Sequence, residues 1–402
     1  MKKFVSMLLA LVMVFALCAC GSKTEGGDKA ERKIKVGFIC LHDENSTYDK
    51  NFIDAAKAAC KNAGLSEEQY IIKTNIPEGQ ECYNAAAELV DAGCNVVFAD
   101  SFGHEDFMIQ AAKEFKDVQF CHATGTKAHT EKLSNYHNAF ASIYEGRYLA
   151  GVAAGMKLQQ LIDEGTIKSE EAVIGYVGAF SFAEVISGMT SYFLGARSVC
   201  PSVTMKVQFV GSWSDATEES NAASALCDLG CKLISQHSDN TTPATMAQSK
   251  GAFHTGYNND MTGVAPDSSI IGCRIDWTNY FVYAIESVAN GQEFDQDYCY
   301  GYDHGDVVLT ELNEAIAAPG TAEKLAEVEA GLADGSIKVF DTSTFTVEGE
   351  TLTSAFALDT DGDFAPDSEE AVFDGAFHES YFQSAPYFTI QIDGIEWLNS
   401  AF

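Results

Sequence analysis

From Ile34 onward the chain alternates short apolar runs with stretches of helical periodicity, and this alternation restricts the available folds more than any other feature. IKVGFICL (34–41), NVVFAD (95–100), VQFCHAT (118–124), AVIGYVG (172–178), VTMKVQFVG (203–211), CKLISQ (231–236) and AFHTGY (252–257) read as strands. Helices with one apolar face separate them; one carries Phe52, Ala55, Ala56, Ala59, Cys60 and Ala63 at 3–4 spacing. Such alternation builds a parallel sheet covered by helices on both faces. About 370 residues follow position 33, more than the roughly 250–300 at which a single core stops growing, so two lobes are expected. The predicted class is α/β, with two doubly wound parallel-sheet lobes joined by hinge strands. The first lobe is expected over 34–141 plus about 274–300, and the second over 142–273 plus about 301–340. An acidic region, 341–402, packs on the two. Crossings are expected near 138–146 and 270–276. Open parallel sheets bind ligands beyond the carboxyl ends of their strands. The segments to watch are therefore His42 to Tyr48, Asp100 to His104, His122 to Thr126, Ala179 to Phe182, Ser212 to Asp215 and His237 to Asp239.

The first residues, MKKFVSMLLALVMVFALCAC, pair a positive start at Lys2 and Lys3 with an apolar run from Phe4 to Leu17. That run falls short of the about 20 apolar residues that span a bilayer, so a secretory signal over 1–19 is the expected reading. Leu17-Cys18-Ala19-Cys20 resembles the lipobox of bacterial lipoproteins, which implies that Cys20 carries a lipid. The small, polar residues after it, within 20–33, suit a flexible tether. The body is then held outside the cell membrane by its anchor.

Formal net charge is −33, and removing Lys2 and Lys3 with the signal takes it to −35. So acidic a surface excludes nucleic acid and anionic headgroups as partners. Of the twelve cysteines, Cys18 and Cys20 fall in the N-terminal segment. The remaining ten show no CxxC, and most sit in apolar settings, as small buried hydrophobes do. A disulfide framework is the rival reading for an exported chain.

Much chemistry is missing from the sequence. There is no Walker A loop, no GxGxxG after a strand and no HExxH, so no cofactor or metal is expected. Ala99-Asp100-Ser101-Phe102-Gly103 lacks the first glycine of a nucleophile elbow, which leaves a serine hydrolase using Ser101 as a remote alternative. Asp359-Thr-Asp361-Gly-Asp363, with Glu370 behind it, partly matches a calcium loop, but Phe364 stands where a glycine is needed.

Several long stretches resemble the basic membrane protein (Bmp) family of ABC-transporter substrate-binding lipoproteins. They include ADSFGHEDFMIQAAKEFKDVQFCHATG (99–125), NYHNAFASIYEGRYLAGVAAG (135–155) and IGYVGAFSFAEVISGMTSYFLGARSVCP (174–201). GSWSDATEESNAASALCDLGCKLISQHSD (211–239), NNDMTGVAP (258–266) and IDWTNYF (275–281) continue the resemblance in order. It implies a type I periplasmic binding protein-like fold that closes on a purine base or nucleoside. The implied partners are that ligand, an ABC permease and the membrane through the anchor; the protein is expected to be a monomer and not an enzyme. A ligand sensor or adhesion lipoprotein without a transport partner is the alternative.

A purine has apolar faces and polar edges, so it wants aromatic rings and a few hydrogen bonds. Tyr48, Phe102, Phe180, Trp213 and Trp277 are the candidate rings. Asp239, Asp260 and Asp276 are candidate acceptors, with Ser101, His122 and Glu145 completing the polar edge. Each has a plainer reading. Phe102 and Phe180 also suit strand-end packing, Asp260 a turn cap, and Asp276 a helix start. His122 also suits a buried, hydrogen-bonded position, and Glu145 a helix cap or a pair with Arg147. The strand end His122-Ala123-Thr124-Gly125 lacks the aspartate of the nucleoside-binding branch and resembles the branch taking free bases such as adenine. No lysine matches the one the family places near the second crossing; Arg274 lies nearby.

Overall fold

The computed structural model describes residues 34–357 and 369–399. The signal segment, Cys20, the tether and the Asp359–Asp363 loop lie outside them. The first sheet is built from β1 (Val36–Ile39), β2 (Tyr70–Lys73), β3 (Val96–Ala99), β4 (Gln119–Ala123) and β5 (Tyr136–Ala141). Helices α1 (Thr47–Asn62), α2 (Gln80–Asp91), α3 (Glu105–Glu114) and the short α4 (Ala128–Glu131) connect them. The chain then enters α5 (Ile143–Asp163) and winds a second sheet from β6 (Val173–Gly178), α6 (Ala183–Val199), β7 (Thr204–Phe209), α7 (Ala216–Asp228) and β8 (Leu233–His237). It continues through α8 (Thr242–Lys250), β9 (Phe253–Tyr257) and β10 (Ser269–Ile275). It returns to the first lobe through α9 (Thr278–Asn290), then β11 (Asp297–Tyr300), which pairs in parallel with β5. A third crossing leads to β12 (Val307–Leu309), antiparallel on β10, and to α10 (Thr321–Ala333).

Strand order is β11-β5-β4-β3-β1-β2 in the first sheet and begins β12-β10-β9-β8-β6-β7 in the second. Apart from β12, neighbouring strands of both sheets run parallel. The expected α/β architecture of two doubly wound sheets is therefore present. Every residue of β1 and β3 is buried, as a strand sandwiched between helix layers must be. The order reverses beside β1 in one sheet and beside β6 in the other, and such reversals open a crevice at the carboxyl ends.

Two glycines let α5 and α6 touch backbone to backbone. A Cβ on Gly151 would stand 2.0 Å from the Tyr192 carbonyl oxygen, and one on Gly195 would stand 2.0 Å from that of Tyr148. Any side chain at either position would force the helices apart.

Trp277, expected in the cleft, belongs instead to the core of the first lobe. It is 1% exposed and meets Phe52 at 5.7 Å, Phe140 at 6.1 Å and Phe281 at 6.2 Å between ring centroids. The cause is helical: Trp277 sits at the start of α9, whose Phe281 packs on Phe52 of α1 at 4.8 Å, and this turns the indole inward.

All ten cysteines from Cys40 to Cys299 are free, eight of them buried, in keeping with small hydrophobes rather than a disulfide framework. No described helix is long and apolar enough to cross a membrane. Glu370, the last position of the partial calcium pattern, spends its carboxylate on Ser354 Oγ (2.5 Å) and the Ala355 and Val372 amides (2.9 and 3.0 Å).

Beyond α10, a hairpin of β13 (Val372–Phe373) and β14 (Ala376–Phe377) precedes β15 (Ile395–Trp397), which extends the second sheet beside β7. This region also reaches the first sheet, where the Ser384 amide donates to Asp297 Oδ2 at 2.9 Å. Within it Glu379 is 5% exposed; one oxygen accepts the Tyr387 amide (2.8 Å) and the other has no protein partner. Burial pushes this carboxyl up to about 8.

Two outcomes follow. A folded pKa raised above the unfolded one favours the fold fully below about 4.5, and that stability is lost as pH rises to about 8. Glu379→Gln should melt close to wild type at pH 4 and above it at pH 8.5; equal melting temperatures at both would show the carboxyl is not buried. Trp277→Ala should destabilise the chain by about 3–5 kcal/mol in urea unfolding, the range for emptying a buried aromatic site.

Candidate functional site

The carboxyl ends of the two sheets face each other across a cleft with about 380 Å³ of empty volume. From the first lobe come Tyr48 and Asp49 on α1, Asp100, Ser101 and Phe102 after β3, and Thr124 after β4. From the second come Glu184 on α6, Trp213 after β7, His237 and Asp239 around the end of β8, and Tyr257 and Asn258 at the end of β9. Thr124 and Asn258 both take left-handed backbone, with φ of 70° and 63°. Strain of this kind in non-glycine residues gathers at ligand sites.

The lobes touch through rings and through the main chain. Phe102 meets Phe182 at 5.4 Å; Phe182 stacks on Phe180 at 4.9 Å and 7°, and both present edges to Trp213 at 5.9 and 5.0 Å. The Thr47 amide donates to the Asp239 carbonyl at 2.9 Å, tying the start of α1 to the end of β8.

The polar wall is acidic. Asp49 accepts the His42 amide (2.7 Å) and Ser46 Oγ (2.6 Å). Burial alone would raise its pKa, but the His42 imidazole at 3.3 Å, with these two donors, holds it below the ordinary value. Asp100 is fully buried, accepts the Leu41 amide (3.0 Å) and has one oxygen without a protein partner. Burial, with the charge of Asp49 beside it, pushes its pKa well up, so it keeps its proton. Asp239 is raised for the same first reason, burial. His237 Nε2 lies 3.2 Å from Glu184 Oε1, and burial together with the Arg147 charge lowers the imidazole to about 4, leaving it neutral.

Cys40, Asp49 and Asp100 place one ligand atom each within 4.8 Å of the others, the one such trio among the described residues. The set fits a metal poorly: hydrogen bonds occupy Asp49, Asp100 is protonated, and burial keeps the Cys40 thiol protonated.

Of the residues singled out from sequence, Tyr48, Ser101, Phe102, Trp213 and Asp239 line this cleft. Tyr48 spends its hydroxyl on the Asp100 carbonyl (2.8 Å) and so presents its ring. Phe180 stands behind Trp213. His122 is wholly buried, with Nε2 on the Ser101 carbonyl at 2.7 Å, so it supports the loop from beneath. Ser101 Oγ donates to Glu78 (2.5 Å) and meets no histidine, so the hydrolase alternative lacks its base. Glu145 accepts the Tyr302 amide (2.7 Å) at the third crossing, away from the cleft. Asp260 is exposed and caps its own turn through the Thr262 amide (2.9 Å), and Asp276 caps α9 through the Thr278 amide (3.0 Å). The plainer readings hold for the two aspartates, whereas Glu145 neither caps α5 nor pairs with Arg147.

Asp49, Glu184, Tyr257 and Asn258 were not singled out. Each lies within three residues of a watched or strand segment, but an acid or tyrosine there has no distinguishing pattern. Asp100, Thr124 and His237 fell inside the watched segments.

The family model for ABC transporter substrate-binding protein PnrA-like (Bmp) matches residues 33–337. The purine-binding protein BAB2_0673 of Brucella abortus is 33% identical over 332 residues, covering 82% of this chain and 89% of the relative. A putative ABC transporter glucose-binding protein, TsgA13 of Haloferax volcanii, is 32% identical over 64% of this chain and 61% of its own. The nucleoside-binding protein BmpA of Lactococcus lactis is 22% identical over 66% of this chain and 73% of its own. Among solved structures, ABC transporter solute-binding proteins from Aeropyrum pernix (TM-score 0.63, 13% identity, 76% of this chain and 93% of that one) and Conexibacter woesei (0.61, 17%, 76% and 98%) share the fold. These relatives are solute-binding proteins of transporters, not enzymes. The chain, with its cleft between two doubly wound lobes, belongs to the Bmp family of PnrA-like ABC transporter substrate-binding proteins.

Proposed function

We propose that this chain is the lipid-anchored, extracytoplasmic binding component of an ABC importer and that its cargo is a purine base, adenine-like, or a purine nucleoside. The observation that carries the ligand is the pairing of aromatic rings with carboxyl groups in one gap: Tyr48, Phe102 and Trp213 beside Asp100, Glu184 and Asp239. A flat heterocycle stacks on rings, and its N–H edges donate to acids. The name of the Brucella relative points the same way. His122-Ala123-Thr124 in place of an aspartate favours the free base.

Closure of the lobes traps the ligand, and the closed shape is what docks on the permease. The Thr47–Asp239 hydrogen bond and the Phe102–Phe182 contact belong to that closed form. Anchoring rests on Cys20 in its lipobox-like setting.

Adenine, hypoxanthine or adenosine at millimolar concentration should raise the melting temperature by linkage. Trp213→Ala should weaken binding of the effective purine by about 1–3 kcal/mol, one stacked ring, in titration calorimetry. A shift with glucose and none with any purine would overturn the ligand assignment while leaving the family intact. For the anchor, Cys20→Ser should move the protein from the membrane fraction to the soluble fraction of its host; unchanged fractionation would refute lipidation there.

A further inference from the structure

Tyr257 closes β9 at the floor of the cleft, and its surroundings are unusual. The ring is 1% exposed and lines the gap, yet its hydroxyl has no partner in the protein. Directly over its face, 3.3 Å from the centroid, lies the guanidinium of Arg147, brought from α5. Arg147 is 1% exposed. It makes one hydrogen bond, from Nη1 to the Gln236 carbonyl (2.9 Å), while Nε and Nη2 have no partner. No carboxylate forms an ion pair with it among the described residues. A cation so deeply buried is held chiefly by the π face it covers. The ring of His237 packs against the same tyrosine at 4.6 Å. Tyr257 is thus fixed in place by two neighbours, neither of which uses its hydroxyl.

Burial keeps the phenol protonated, and the guanidinium draws electron density from the ring, so the O–H is a donor. A ligand nitrogen lone pair facing this hydroxyl finds a donor that no protein group has taken.

Building on the purine reading of this cleft, we propose that the Tyr257 hydroxyl donates a hydrogen bond to a ring acceptor of the ligand, with Arg147 as the positioning residue that holds and polarises it. The second lobe then selects rings that carry both an N–H edge and a lone pair, and rejects those with a C–H at the matched atom.

A titration series with adenine and its 1-, 3- and 7-deaza analogues, each replacing one ring nitrogen by C–H, tests this on wild type and Tyr257→Phe. Losing one neutral hydrogen bond should weaken adenine binding about 5- to 10-fold in the variant. In wild type one analogue should show a comparable loss relative to adenine, and in Tyr257→Phe that loss should vanish while the other two are unchanged. Arg147→Gln should shrink the same loss selectively; if it does not fold, the Tyr257→Phe cycle decides alone. Equal adenine affinity in wild type and Tyr257→Phe, or a deaza loss that survives the substitution, overturns the inference with the purine assignment intact. Wild type that binds none of the four compounds overturns both.

Discussion

A carboxyl group taken out of water must find hydrogen-bond donors, a neighbouring base or a proton. Facing strand ends in an acidic chain make that constraint acute, and the cleft meets it in all three ways. Asp49 gathers a backbone amide and a serine hydroxyl and stays ionised. Asp100, beside it, keeps its proton. Glu184 takes the neutral imidazole of His237. The result is a wall whose acceptors and donors are fixed by burial before any ligand arrives. Preorganisation of this kind lowers the cost of binding, because polar groups do not reorient when the lobes close.

Closure itself runs through few strands. The chain passes between the sheets after β5, after β10 and between β11 and β12. The C-terminal region adds a further connection, since β15 extends the second sheet while Ser384 holds Asp297 of β11 in the first. Asp297 also accepts from His129 Nε2 at 2.9 Å, so one carboxylate gathers the C-terminal region, the short α4 and an edge strand.

The fold was legible because parallel strands buried on both faces must be continuous apolar runs, and helices covering them must be amphipathic. Not read as strands were β2 at an edge, half-exposed throughout, and β11, whose DYCY carries mixed polarity; the buried β5 and β10 were read only as crossings. The cleft was legible to the extent that strand order decides it. Residues directly after β1, β3, β7 and β8 were found, since any doubly wound sheet turns those positions toward the ligand. Trp277 and Asp276 follow a strand too, but β10 leads straight into a helix that packs on α1, and the sequence of a helix start reads like that of a binding loop. Tyr257 was invisible for the opposite reason. Its role depends on Arg147, more than a hundred positions away, and on a stacking contact that no local pattern encodes.

The glycine contact between α5 and α6 has a mechanical consequence. Gly151 meets the Tyr192 backbone and Gly155 that of Ala196, so the two helices run side by side in the same direction with their backbones in close approach. Sliding one past the other would drive backbone into backbone, and the pair moves as a single spar. One member begins at the first crossing; the other begins beside Phe182 and Glu184. Rotation at the crossing is therefore transmitted undiminished to the aromatic and acidic lip of the gap, rather than being absorbed in soft packing along the way.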